Sequence, residues 1–237
     1  MTELLQALQN NLRFVLTVLG IFVGLTLLAY LAEKTICRRS IKPREAKYLA
    51  VCAMCAALSG LLMLLELPVF FAPDFYKIDL SELPVLFCGF CLGPVASVIC
   101  EFLKVAVKLL LKGTTTAFVG DFANFAVGCA MILPASIVYH CRKTKAGAIA
   151  ALITGTACMS VFGSIFNAVY LLPKFSELFG LPLDAIIEMG SAVNPAISNV
   201  STLVLFAVVP LNLLKGGVVS LLTFALYKRV QRVLFIK

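Results

Sequence analysis

"LPVLFCGFCLGPVASVICEFLKVAVKLLLKG", residues 83–113, looks at first like one long apolar run. Its middle decides the fold. In "LGP", Leu92 to Pro94, glycine is a ready helix terminator, and proline, with its fixed φ and no N–H, suits the first position of the next helix. The stretch therefore predicts two helices: a rather short one over about 81–92, and a second over 94–111 that carries Glu101, Lys104 and Lys108. Reading outward, 61% of the chain is hydrophobic and only 14% is charged, whereas soluble domains run at about 45–50% apolar. The solvent is lipid. A helix needs about 20 apolar residues to cross the hydrocarbon, and it satisfies its own backbone hydrogen bonds while doing so. Further spans fall at 14–32, 48–65, 122–139 and 146–172, and one long or bent helix lies within 196–227. The fold class is an all-α polytopic membrane bundle of seven crossings.

Orientation follows from the cations, which stay on the cytoplasmic side near span ends. Lys34, Arg38, Arg39, Lys42, Arg44 and Lys47 form one cluster, Arg142, Lys143 and Lys145 another, and Lys228, Arg229, Arg232 and Lys237 a third. These segments hold 13 of the 20 cations and 2 of the 12 acids, while Asp74, Asp79, Glu82, Glu177, Asp184 and Glu188 occupy the alternate loops. The expected topology in a cell membrane has the amino terminus outside and the carboxyl terminus in the cytoplasm. The net charge of +8 is then a topological signature and an anchor against anionic lipid, and nucleic acid is not an expected partner. The first apolar segment ends in a basic stop-transfer pattern with no small-residue cleavage signature, so it reads as a retained helix. The linker "EKTICRRSIKPREAK", 33–47, sets it apart. Residues 1–45 are expected to be an added helix with its basic linker, and 46–237 a six-helix core.

Catalysis finds little support. His140 is the only histidine, no G-x-S-x-G or phosphate-loop motif occurs, and the acids are not clustered as in a membrane phosphotransferase. The nine cysteines lie largely in apolar spans, where a thiol behaves as a small hydrophobe. "CAMC" and "CGFC" have metal-like spacing, but a structural zinc site needs four ligands, and neither motif supplies them by itself. No metal and no resident cofactor are expected; the chain binds or carries something.

Polar groups inside spans are expensive and must face the protein interior or a cavity. Asn212 and Lys215, in "LNLLKGG", are three apart and share a helix face. Asn167 lies about a turn from Tyr170 in "FNAVYLLP", and Asp121 and Asn124 share a face in "GDFANF". With the orientation above, all fall in the outer half of the bilayer, and the acidic loop "FFAPDFYKIDLSEL", 70–83, lies over the same side. These residues describe an outward-facing pocket with a loop for a lid.

Taken in order, "FYKIDLSELPVL", "LGPVASVICEFLKVAVKLLLKG", "VGDFANFAVGCAMILPA", "SIFNAVYLLP" and "VVPLNLLKGGVVSLLTFALYKR" resemble the riboflavin-specific substrate-binding (S) subunit of energy-coupling factor (ECF) transporters over about 46–230. The resemblance implies a six-helix subunit that captures external riboflavin as its transported substrate. Its implied partners are a transmembrane coupling subunit and two cytoplasmic ATPases, which would account for the missing phosphate loop. It places flavin contacts on Asn167, Asn212 and Lys215, with Tyr76, Lys77 and Asp79 in the closing loop and Asn124 and Tyr170 nearby. It also implies that the small pair Ala53 and Ala57 meets the coupling subunit. Typical members lack the added first helix.

The residues alone leave other readings open. The asparagines could join helices, Lys215 could pair with Glu101 or Asp121, and Tyr76, Lys77 and Asp79 could be a solvated loop. Glu101, Lys104 and Lys108 are expected to stabilise each other or snorkel, and Thr114, Thr115 and Thr116 to form an exposed turn. Ala53 and Ala57 could pack within the bundle. As a whole, the chain could bind another vitamin, such as a folate or pantothenate, or serve as a membrane scaffold.

Overall fold

The computed structural model describes residues 12–37, 46–73, 75–114 and 116–234. Arg38, Arg39, Lys42, Arg44, Glu45, Asp74, Thr115, Lys237 and the side chain of Arg232 lie outside the described set. The chain is a helical bundle. Its elements are α1 (Leu12–Thr35), α2 (Ala46–Leu62), a two-residue hairpin of β1 (Leu67–Pro68) and β2 (Lys77–Ile78), α3 (Glu82–Leu92), α4 (Pro94–Lys112), α5 (Val119–Cys141) and α6 (Lys145–Phe166). There follow a π turn (Asn167–Leu171), α7 (Leu172–Phe179), α8 (Leu183–Val193), α9 (Val200–Leu203), a second π turn (Val204–Val208) and α10 (Val209–Leu234). Each expected span coincides with a helix. Among the described residues, four stretches, 12–35, 119–141, 145–179 and 200–230, are long and apolar enough to cross a membrane.

The "LGP" break is where the chain turns. Gly93 has φ 120° and ψ 175°, a conformation that needs a residue without Cβ, and Pro94 opens α4. At 11 residues, α3 rises only about 16 Å, roughly half of the hydrocarbon thickness. The buried face of α2, with Val51, Cys52, Cys55, Ala56, Ser59 and Gly60, packs on α3 and α4. Gly60 permits the approach, since a Cβ there would lie 2.5 Å from Val107 Cγ1. Cys52, Cys55, Cys88 and Cys100 are buried in this seam, and the thiols of Cys52 and Cys88 both donate to Ala96 O, at 3.8 and 3.6 Å. Among the described residues, no group of three or more His, Cys, Asp or Glu side chains is arranged to hold a metal.

Helix α1 lies against α4 and α5. Phe22 stacks on Phe102 at 4.2 Å between ring centroids, and Phe14 meets Phe122 edge-on at 5.7 Å. At its far end the buried Glu33 accepts a hydrogen bond from Val95 N at 3.3 Å, in the first turn of α4. A carboxylate there satisfies one of the helix's orphan donors and complements its dipole. Replacing Glu33 by Ala should destabilise the protein by about 1–2 kcal/mol. A thermal melt in detergent checks this, and the effect should shrink in high salt only slightly because the carboxylate is buried.

At the loop end the last span starts within its expected bounds, and one expectation changes. The last span begins at α9 because Asn199 forms a capping box with Thr202: its Oδ1 accepts from Thr202 N at 2.9 Å, and Thr202 Oγ1 accepts from Asn199 N at 2.9 Å. The segment expected to be an acidic loop around Asp184 and Glu188 is instead the amphipathic helix α8, which buries Ile186 and Gly190. A second apolar cluster joins Val69, Ala72 and Tyr76 of the 63–81 loop to Leu172, Ile186, Ile197, Leu203 and Leu211. The loop is thereby packed across the end of the bundle.

Candidate functional site

Beneath that loop is a cavity of about 590 Å³. Its lining includes Tyr76, Lys77 and Asp79 from the loop, Asn124 from α5, Asn167 at the π turn, and Asn212 and Lys215 from α10. Met63, Phe75, Val127, Phe166, Val208 and Leu211 supply apolar wall. Apolar walls with a few placed polar groups, at a volume within the usual range of about 300–1,000 Å³, make a small-molecule site.

Each polar group is held by something specific. Tyr76 donates from its hydroxyl to Asn167 Oδ1 at 2.6 Å, so the loop is tied directly to the wall. Asn167 sits where the helix widens into a π turn, a distortion common at functional sites. The wider turn rotates less per residue, so a residue three places on falls further short of the face that Asn167 occupies, and Tyr170 is not part of the lining. It packs on Phe122 and Phe166 at ring distances of 6.0 and 5.0 Å. Asn212 is buried and its Nδ2 has no hydrogen-bond partner among the described residues. Gly163 makes room for that amide, because a Cβ at 163 would stand 2.8 Å from Asn212 Nδ2.

Lys215 pairs with Asp79 Oδ2 at 3.1 Å and Glu82 Oε1 at 3.0 Å. Neither Glu101 nor Asp121 is its partner, because each is taken by a lysine of α4. Lys104 Nζ lies 2.5 Å from Glu101 Oε1, and Lys108 Nζ 2.5 Å from Asp121 Oδ1. Lys104 is fully buried and also reaches Glu82 Oε1 at 3.3 Å, so it does not snorkel. Gly128 accommodates Glu101: a Cβ there would fall 2.0 Å from Glu101 Oε1. Asp79 and Glu82 thus hold both the loop and α3 to α10. The loop is latched to the opposite wall by ion pairs.

The loop itself divides. Tyr76 and Asp79 are buried, and Asp79 Oδ1 accepts from Ser81 N at 2.8 Å, so neither belongs to a solvated loop. Lys77 is exposed and shares Glu66 Oε2 with Lys112, at 3.3 and 3.2 Å. Partial burial pushes the Glu66 carboxyl up, but Lys112 and Lys77 outweigh it and hold its pKa below the usual carboxylate value. Thr114 and Thr116 are not simply an exposed turn. Their hydroxyls accept from Phe118 N at 2.9 Å and Gly120 N at 3.0 Å. They thereby support the left-handed Ala117 and Phe118 at the start of α5.

Ala53 and Ala57 lie away from the cavity. Both are exposed on α2, beside exposed Met54, Leu58 and Leu61, so they do not pack within the bundle. Sequence reasoning did not assign Glu82 to the site. Its signal was an acid three residues after Asp79, at the start of a helix, where it could meet a lysine from another span.

The fold and this cavity define a membrane binding protein, and the family is identified by sequence. Residues 47–227 match the substrate-specific component of ECF transporters, and the chain belongs to that family. It is similar to the riboflavin transporter RibU of Staphylococcus aureus, 29% identical with 83% of this chain and 97% of the relative covered. It is also similar to the riboflavin transporter FmnP of Bacillus subtilis, 28% identical over 79% of this chain and 93% of that one. A solved S component of a bacterial ECF transporter superposes with a TM-score of 0.62 at 30% identity, covering 79% of this chain and 97% of its own.

Proposed function

We propose that the chain is the riboflavin-capturing component of an ECF transporter, with riboflavin as substrate rather than cofactor and no catalysis of its own. The observation that carries this reading is the donor set around the cavity. The amide of Asn212 has an unpartnered NH2, and Asn167, Asn124 and Lys215 line the same space. The pyrimidine edge of an isoalloxazine offers carbonyl oxygens, ring nitrogens and one imide N–H, which amides and an ammonium can pair with. The similar riboflavin transporters support the same ligand. Tyr76, Lys77 and Asp79 are assigned to closing the site, and Tyr170 to supporting Phe166 behind it.

The remaining assignments follow from this one. The cation distribution supports an external amino terminus and a cytoplasmic carboxyl terminus. Riboflavin then enters from outside, and a transmembrane coupling subunit with two cytoplasmic ATPases drives its release inward. Exposed Ala53 and Ala57 allow a partner helix to approach α2 closely. Within 1–45, α1 is assigned as a helix added to the binding core, and the described part of 46–237 as that core. The test is a titration. Purified protein in detergent should quench riboflavin fluorescence at one-to-one stoichiometry, and excess folate or pantothenate should not compete. No quenching, or competition by either vitamin, overturns the riboflavin assignment.

A further inference from the structure

Lys104 is fully buried and does not line the cavity, yet Asn124, which does, is bonded to it. The ammonium donates to Glu82 Oε1 at 3.3 Å and to Asn124 Oδ1 at 2.9 Å, and it forms an ion pair with Glu101 Oε1 at 2.5 Å. A lysine ammonium has no acceptor, so the Asn124 atom that faces it must be the carbonyl oxygen. The amide cannot turn over without setting its NH2 against a buried cation. Asn124 Nδ2 donates no hydrogen bond to another described residue. The other asparagines lack this constraint. A phenol can donate or accept, so Tyr76 is compatible with either orientation of Asn167.

We infer that Lys104 is a positioning residue for ligand selection: from behind the wall it locks the Asn124 amide with its NH2 toward the cavity, so that α5 reads a hydrogen-bond acceptor on the ligand and rejects a donor there. Glu101 and Glu82 hold Lys104 in turn, one on its own helix and one on α3. Gly128 leaves the space in which Glu101 does so. The network thus converts buried charge into a fixed amide orientation. This rests on the riboflavin reading, in which the ligand's ring edge carries several acceptors and a single donor.

Two substitutions at residue 124, one isosteric and one a truncation, test it. Asn124→Asp keeps an oxygen for Lys104, and strengthens that bond, but presents a second oxygen to the ligand in place of the NH2. Asn124→Ala removes both. An amide that reads an acceptor predicts that Asp weakens riboflavin binding more than Ala does. The expected increases in Kd are about tenfold or more for Asp and about threefold for Ala, since an opposed pair of acceptors is worse than a missing bond. An amide that only joins helices predicts the reverse, with Asp mild and Ala the more damaging, chiefly in the melting temperature. A second arm uses Lys104→Met together with Glu101→Gln, which removes the lock without leaving Glu101 charged. In that background Asn124→Ala should change Kd by less than about twofold, because a freely turning amide no longer selects. Equal or reversed Asp and Ala effects on Kd, or an undiminished Ala effect in the double background, overturn the inference. If the unsubstituted protein fails to quench riboflavin, the ligand assignment beneath it fails instead.

Discussion

Replacing Lys215 by Met raises the Kd for riboflavin by about ten- to a hundredfold while the protein still inserts and purifies. The stem's bulk is kept and the ammonium is lost, and a hydrogen bond to a charged donor contributes about 1.5–3 kcal/mol. Lys215 lines the cavity and has acceptors in Asp79 and Glu82 for two of its three protons. The third is available to a ligand. The same substitution unlatches the loop from α10, so the dissociation rate should rise more than the association rate falls. Asp79→Asn separates the two contributions, because it loosens the latch and leaves the donor. Fluorescence titration and stopped-flow dissociation measure both. Unchanged affinity in the Met variant would remove Lys215 from the site.

Lys104→Met should be the most destabilising single substitution at the site, costing about 3–5 kcal/mol, because breaking a buried ion pair leaves its partners uncompensated. Glu101 and Glu82 are both almost wholly inaccessible and both lean on this ammonium. Detergent melts should show loss of a cooperative transition or a fall far larger than that of Glu33→Ala. Adding Glu101→Gln should recover much of the stability, since the least solvated of the orphaned charges is then gone. A Lys104→Met protein as stable as the original would mean that the network is held elsewhere.

Much of the architecture could be read from local chemistry. The "LGP" break marks the α3–α4 junction because glycine and proline act within one or two residues. The charge-free spans outline the bundle helices, and the spacing of Asn212 and Lys215 puts both on the cavity face of α10. What escaped reading depends on distant parts of the chain. The partner of Lys215 lies 136 positions away in the loop, and no spacing rule connects them. Glu101 and Asp121 were reasonable candidates by depth, but Lys104 and Lys108 already engage them. Helix α8 was missed because its apolar face becomes meaningful only against the 63–81 loop and α9. Tyr170 was drawn toward the site by an α-helical count that the π turn alters.

On the proposed function, amides and an ammonium buried at membrane depth are retained to surround a flavin ring. An experimental structure of the riboflavin-bound protein tests it most directly. The isoalloxazine should lie within the cavity beneath Tyr76, with its pyrimidine edge within hydrogen-bond distance of Lys215 Nζ, Asn212 Nδ2 and Asn124 Nδ2. Riboflavin bound elsewhere, with none of those groups in contact with it, would contradict it.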